Sequence, residues 1–240
     1  MVHVGIPIQH GSSLIERIKA LEQTKVYDLL AAMPLIVWYG LCASARYGAL
    51  SHEISVAVFS ATDLRSLLNI ASQLATSVFF TTLIVVLIFR DKPHAKAKGL
   101  IPRVAAIAGT YLSVGIVQLP PVELSNQLYL ISTLLTVVGT LFALYSALNL
   151  GQSISMMSEA RRLVVSGPYA VVRHPLYLGE GIALVGLTLQ FLSLSAVLIF
   201  VLQCACQVVR MNNEEQVLLR AFPQYTNYMA RTARLIPYLY

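Results

Sequence analysis

Apolar residues run along this chain in long blocks, and polar residues collect in the gaps between them. Four blocks, 26–45, 67–89, 101–119 and 128–150, each approach the ~20 residues that carry a helix across the ~30 Å hydrocarbon core of a bilayer. A fifth, 175–209, is too long for one crossing. It is interrupted at Ser193-Leu194-Ser195 and predicts two helices joined by a tight turn near 191–195. The pattern therefore predicts an all-α, polytopic membrane protein with about six spans, the last two forming a helical hairpin. Ahead of the first block, residues 12–25 set Leu14, Ile15, Ile18 and Leu21 on one face, with Ser12 or Ser13 placed to cap it. They predict a short amphipathic helix along the membrane surface. The connector 46–66 carries Arg46, His52, Glu53, Asp63 and Arg65. Two parts result: 1–147, with the amphipathic helix and four spans, and 148–240, where the polar chemistry concentrates.

Composition and charge sharpen this picture. The chain is 57% hydrophobic and 12% charged, against about 25% charged in soluble domains. The net charge of +6 need not signal nucleic acid, because its placement fits a membrane rule. With both termini on the cytoplasmic side, only Arg46 and Arg65 among the 17 Lys and Arg residues fall outside. The loops at 120–127 and 191–195 carry none. The N-terminal stretch, with Glu16, Arg17, Lys19 and Glu22, does not read as a signal peptide. Cys42, Cys204 and Cys206 lie in or beside apolar runs and predict no disulfide framework. Cys204 and Cys206 fall on different helix faces, and no His, Cys, Asp or Glu set has metal-ligand spacing. Neither usual nucleotide loop, GxGxxG or GxxxxGK[ST], is present.

The candidate chemistry lies in two polar elements that the charge rule puts on one side. The first is 151–177. Gly167-Pro168 marks a turn, and Arg173-His174-Pro175 stands at a helix mouth, with Pro175 suited to the first turn because it has no amide hydrogen. Gly179, Gly181 and Gly186 then leave one side of that helix without bulk, open to a neighbouring helix or a ligand. The second element is 210–215, with Arg210 and Glu214 four apart on one helix face. Beyond it Val217, Leu218, Ala221, Phe222 and Tyr225 form an apolar stripe that Pro223 interrupts. A bowl of basic loop, imidazole, the phenols of Tyr169 and Tyr177 and a glutamate pair can hold a polar cofactor while an apolar substrate enters from the bilayer. An anchored helix end, with snorkelling arginines and belt tyrosines, is the plainer alternative.

The run RRLVVSGPYAVVRHPLYLGE, an apolar hairpin, and then EE…LL…F…Y…Y…RLIP resemble the isoprenylcysteine carboxyl methyltransferase and phospholipid methyltransferase superfamily over residues 148–240. The resemblance implies S-adenosyl-L-methionine in a cytoplasmic C-terminal pocket capped by the last segment. It assigns the backbone of Arg161, Arg162, Leu163 and Val164 to the adenosine part. Tyr169, the segment His174, Pro175, Leu176 and Tyr177, and Glu214 become cofactor contacts, with Gln152 or Ser153 as one more. Arg210 is placed at the substrate, and Arg173, which belongs to the motif, is the second candidate catalytic residue. The implied activity is methyl transfer to a lipophilic acceptor, foremost an isoprenylcysteine-type carboxylate. A phospholipid amine or a thiol are alternatives, and His174 or Tyr177 are then candidate bases. A sterol-reductase-like NADPH enzyme and a non-catalytic membrane protein are the readings from other classes.

Overall fold

The computed structural model describes residues 24–59 and 63–237. The amphipathic helix expected over 12–25 lies almost wholly outside the described residues. Helix α1 (Lys25–Phe59) is followed by α2 (Leu64–Phe89), α3 (Leu100–Val117), α4 (Asn126–Leu150), α5 (Pro175–Gln190), α6 (Leu194–Ala221) and the short α7 (Tyr225–Met229). Five of these, α1 to α4 and α6, are long and apolar enough to cross a membrane. The sixth expected span, α5, has 16 residues, about 24 Å at 1.5 Å per residue. The chain is thus an integral, multi-pass helical membrane protein. Exposed Leu30, Leu134, Leu198 and Val201 give the bundle an apolar outer surface suited to lipid.

The helix limits have local causes. Asp63 caps α2 by accepting from Ser66 N at 2.8 Å, Ser125 caps α4, and Ser193 caps α6 by accepting from Ala196 N at 3.2 Å. Helix α1 does not stop at Ala45 as the apolar block predicts. It runs to Phe59 through Arg46, His52 and Glu53, with Ser51 and Ser55 donating to the carbonyls of Gly48 and His52 at 2.8 and 2.7 Å. Polarity ends a span there, not a helix. Helix α6 likewise runs unbroken from the apolar block through Arg210 and Glu214 to Ala221.

The two arms of the C-terminal hairpin diverge. Helix α5 lies along α4 and α6 along α3, and they touch each other sparsely. A glycine seam explains the first pairing. A Cβ on Gly139 of α4 would strike the backbone of Gly179 and Ala183, one on Gly179 would strike that of Ala143, and one on Gly186 would strike Ser132 and Thr136. Gly181, by contrast, faces open space. We expect Gly179→Ala to lower thermal stability by about 1–3 kcal/mol, the usual overpacking cost. Gly181→Ala should be neutral or slightly stabilising through helix propensity. Thermal melts of the two variants in detergent check this, and equal melting points would remove the seam as a structural element.

The polar connections gather at one end of the bundle. Strand β1 (Ala95–Lys96) pairs antiparallel with β2 (Glu159–Ala160), and Asp91 N donates to Gln152 O at 2.8 Å. Beneath them Asp28 of α1 is buried between Arg90 Nε at 2.8 Å and Arg161 Nη2 at 2.9 Å. Arg161 also pairs with Glu159 at 2.5 Å and donates to the Asp91 carbonyl. At the opposite end Val122 N donates to Gln190 O at 3.0 Å, and Arg65 lies over the Tyr129 ring at 3.8 Å. The segments around 90–99, 151–173 and 210–215, grouped in sequence by charge, meet at the same end.

Candidate active site

The site is built where three pieces of that end converge. The first is the loop 151–174. It leaves α4 through a 3-10 turn (Gly151–Ser153), passes β2, and makes a second turn (Gly167–Ala170) in which Gly167 adopts φ +58°. A side chain at 167 would also run into Asn149. The second is the mouth of α5, where Pro175 takes the first helical position behind His174. The third is the C-terminal end of α6, carrying Arg210, Glu214 and Glu215.

The C-terminal segment closes over these pieces. Val172 bridges Ala233 in parallel, Arg173 N donates to Ala233 O at 2.9 Å, and His174 N donates to Arg234 O at 3.1 Å. Glu215 is the hub. Its Oε1 receives Arg173 Nε at 2.8 Å and His174 Nε2 at 3.1 Å, and forms an ion pair with Arg234, Nε at 3.3 Å. Arg173 Nη1 donates onward to the carbonyls of Met229 and Thr232 at 3.2 and 2.6 Å. The Arg173 side chain, expected at the reaction, is thus occupied in fastening the cap, and a positioning role fits it better than a catalytic one.

A cavity of about 90 Å³ opens between the loop, α6 and the cap. Its lining includes Arg161, Arg162, Leu163, Val164, Tyr169, Arg173 and Glu214, joined by Ser153, Ser155, Tyr225 and Tyr228. Two hydroxyls of its buried wall, Ser153 Oγ and Tyr169 Oη, have no hydrogen-bond partner within the protein. Burial pushes the phenols of Tyr169 and Tyr225 well above their ordinary range and that of Tyr228 up to about 12, with nearby carboxylates adding to the rise. All three remain protonated donors at neutral pH, and Tyr228 Oη donates to Tyr169 O at 2.6 Å. Gln152 is exposed and does not line the cavity, its carbonyl accepting from Asp91 N, so Ser153 is the member of that expected pair that reaches the cavity. The Arg161 side chain turns away into the Asp28 cluster, leaving its backbone as the part available to a ligand.

Behind Glu214, outside the cavity lining, Tyr177 and Arg210 form a buried pair. Tyr177 Oη donates to Glu214, its ring stacks on His174 at 5.6 Å, and the Arg210 guanidinium stands 4.9 Å from its centre on the other side. His174 and Pro175 are buried, and Leu176 packs against the main apolar core. Arg210 donates to Gln207 Oε1 at 3.2 Å and Met156 O at 3.1 Å, while its buried Nε has no partner. Gln207 in turn donates to Glu180 Oε2 at 3.1 Å. Glu180, Gln207 and Glu215 were not among the residues expected from sequence. Glu180 had a signal available, an ionisable side chain inside an apolar run, which in membrane helices marks a functional position by default.

Residues 128–225 match the phospholipid methyltransferase family. The match takes in α4 together with the loop, α5 and α6, the part of the chain that builds the site. Two curated relatives overlap the chain. The nickel-cobalt-cadmium resistance protein NccN of Alcaligenes xylosoxydans xylosoxydans is 34% identical over 84 residues, which are 34% of this chain and 38% of that protein. The cobalt-zinc-cadmium resistance protein CzcN of Cupriavidus metallidurans is 36% identical over 80 residues, 32% of this chain and 36% of that protein. The chain thus spans little more than a third of either relative. A solved eukaryotic intramembrane Ras methyltransferase, isoprenylcysteine carboxyl methyltransferase, is similar over 92% of this chain and 97% of its own, at 15% identity and a TM-score of 0.48. Among the described residues, no group of three or more His, Cys, Asp or Glu side chains could hold a metal ion.

Proposed function

We propose that this protein is an S-adenosylmethionine-dependent membrane methyltransferase whose acceptor is lipophilic and carries an isoprenylcysteine-type carboxylate. The methyltransferase segment at 128–225 supports the reaction class. The residues fit the cofactor: the cavity offers two carboxylates, Glu214 and the Arg161-paired Glu159, and two buried hydroxyls without a protein partner, Ser153 and Tyr169. Glu214 would accept from ribose hydroxyls or from the amino group, and the 161–164 backbone would hold the adenosine part. S-adenosylmethionine supplies a methyl group already activated on a positively charged sulfonium. The observation that carries the acceptor reading is Arg210. Its buried Nε is a charged donor left without a partner, one helical turn from Glu214. A carboxylate is the acceptor head that satisfies such a donor best.

The chain's own task is then positional. Arg210 grips the acceptor anion, Tyr177 links it to Glu214 at the cavity wall, and the cap held by Glu215 excludes water. A carboxylate is ionised at neutral pH, so this acceptor needs no general base. The basic end, with the cavity, faces the cytoplasm in this reading, and the acceptor tail lies in the bilayer.

Titration of the detergent-purified protein with S-adenosylmethionine and, in parallel, NADPH tests the cofactor. Binding of NADPH alone would replace this reading with a reductase. An acceptor screen follows with N-acetyl-S-farnesyl-L-cysteine, phosphatidylethanolamine and a long-chain thiol. Methylation of either of the last two in place of the first would move the acceptor to an amine or a thiol. Arg210→Lys loses the planar fork and should reduce turnover by roughly 10²-fold, the cost of a misplaced acceptor, with little change in cofactor affinity. Equal loss of both would place Arg210 in the cofactor site.

A further inference from the structure

Helix α5 carries a carboxylate that the proposed reaction does not use. Glu180 sits one turn below Tyr177, in the apolar part of the helix, and is linked to Arg210 by one side chain: Gln207 donates to Glu180 Oε2 at 3.1 Å and accepts from Arg210 Nη1 at 3.2 Å. The setting is closed. Arg210 is 6% exposed, and its Cδ packs where a Cβ on Gly109 of α3 would lie, 2.9 Å away. Gln203, one turn deeper on α6, donates to the Gly109 carbonyl at 2.5 Å. Trp38 of α1 stacks edgewise on Tyr111 of α3 at 5.1 Å, beside Tyr39. The cluster therefore joins the first and third helices to the two arms of the hairpin.

A guanidinium stays charged in any protein environment, and among packed helices it needs an opposite charge. Glu214 is engaged by the Tyr177 hydroxyl and lines the cofactor cavity. We propose that Glu180 is the resident counter-ion of Arg210, holding the guanidinium through Gln207 until the acceptor's carboxylate takes its place. The proposal rests on the carboxylate-acceptor reading above. Its consequence is selectivity through competition. An incoming anion must displace the influence of a fixed anion from one guanidinium, so Glu180 weakens acid binding. Methylation turns the acid into a neutral ester, which cannot compete, and Glu180 recovers Arg210 as the product leaves. Glu180 is thus a specificity-determining residue that acts through Gln207 and Arg210.

The test uses the full-length protein in detergent with N-acetyl-S-farnesyl-L-cysteine as the probe and its methyl ester as the control. Trp38, the single tryptophan of the chain, reports binding by fluorescence without any turnover. Glu180→Gln, which keeps the shape and the acceptor atom for Gln207, is expected to tighten the acid at least threefold. The ester and S-adenosylmethionine affinities should stay unchanged. Glu180→Asp should restore weaker, wild-type-like binding of the acid. Damage to the fold does not produce a selective gain in affinity. Gln207→Leu, which frees one donor of Arg210, provides a second route and should tighten the acid by a smaller factor. Acid affinity that is unchanged or reduced in both Glu180→Gln and Gln207→Leu overturns the proposal, as does equal tightening of acid and ester. Failure of the methyltransferase reading looks different: the acid still tightens in Glu180→Gln, but neither protein methylates it when S-adenosylmethionine is added.

Discussion

Glu214→Ala is expected to make S-adenosylmethionine binding undetectable while leaving the protein folded. Glu214 is the cavity carboxylate that no arginine pairs with at short range, unlike Glu159 beside Arg161, and its side chain is partly accessible there. A hydrogen bond to a charged group contributes about 1.5–3 kcal/mol. Losing two such bonds lowers affinity by roughly 10² to 10⁴-fold. The cost to the fold is smaller, because the change leaves the Tyr177 hydroxyl as the one protein donor without its carboxylate, about 1–3 kcal/mol. Titration calorimetry beside a thermal melt separates the two effects. Wild-type affinity in a folded Glu214→Ala protein would mean that the cavity is not the cofactor site.

Glu215→Ala should act on the neighbouring position in the opposite manner, through the fold first. Glu215 does not line the cavity, but Arg173, His174 and Arg234 all converge on its Oε1. Its removal leaves Arg173 and Arg234, with side chains 11% and 12% exposed, facing each other without their anion. Breaking a buried pair of this kind costs about 3–5 kcal/mol, and the partial exposure here puts the expectation at the lower end. The 229–234 segment should loosen, so limited trypsin digestion is expected to cut at Arg231 many times faster than in the wild-type protein. Cofactor affinity should fall secondarily. A protein that melts lower but resists cleavage at Arg231 would show that Glu215 stabilises the bundle without fastening the cap.

The membrane helices were legible because they are written in composition. Each apolar block became a helix, and the turn expected at 191–195 falls between Gln190 and Leu194. What the blocks do not encode is where a helix ends once it leaves the apolar layer, as the extension of α1 to Phe59 and of α6 to Ala221 illustrates. The cavity residues were reached by resemblance. Spacing alone brings Arg210 near Glu214, but it takes Tyr177 from another helix to connect them. Glu215 went unassigned because its three partners come from residues 173, 174 and 234, a convergence that no local pattern contains. Asp28 was unreadable for the same reason: its partners lie 62 and 133 positions away.

That last pairing governs how the molecule comes into being. Asp28 enters the bilayer interface with the first helix, long before Arg161 has been synthesised. Arg90 arrives at the end of the second helix and can neutralise it early, giving the nascent chain a provisional charge balance. Arg161 joins only after the fourth helix is in place, and with it comes the 161–164 backbone. Biogenesis is thereby ordered, with the ligand-facing wall completed late. A fragment starting after the fourth helix would emerge with Arg161 lacking its Asp28 anchor, so the C-terminal part is not a transplantable module.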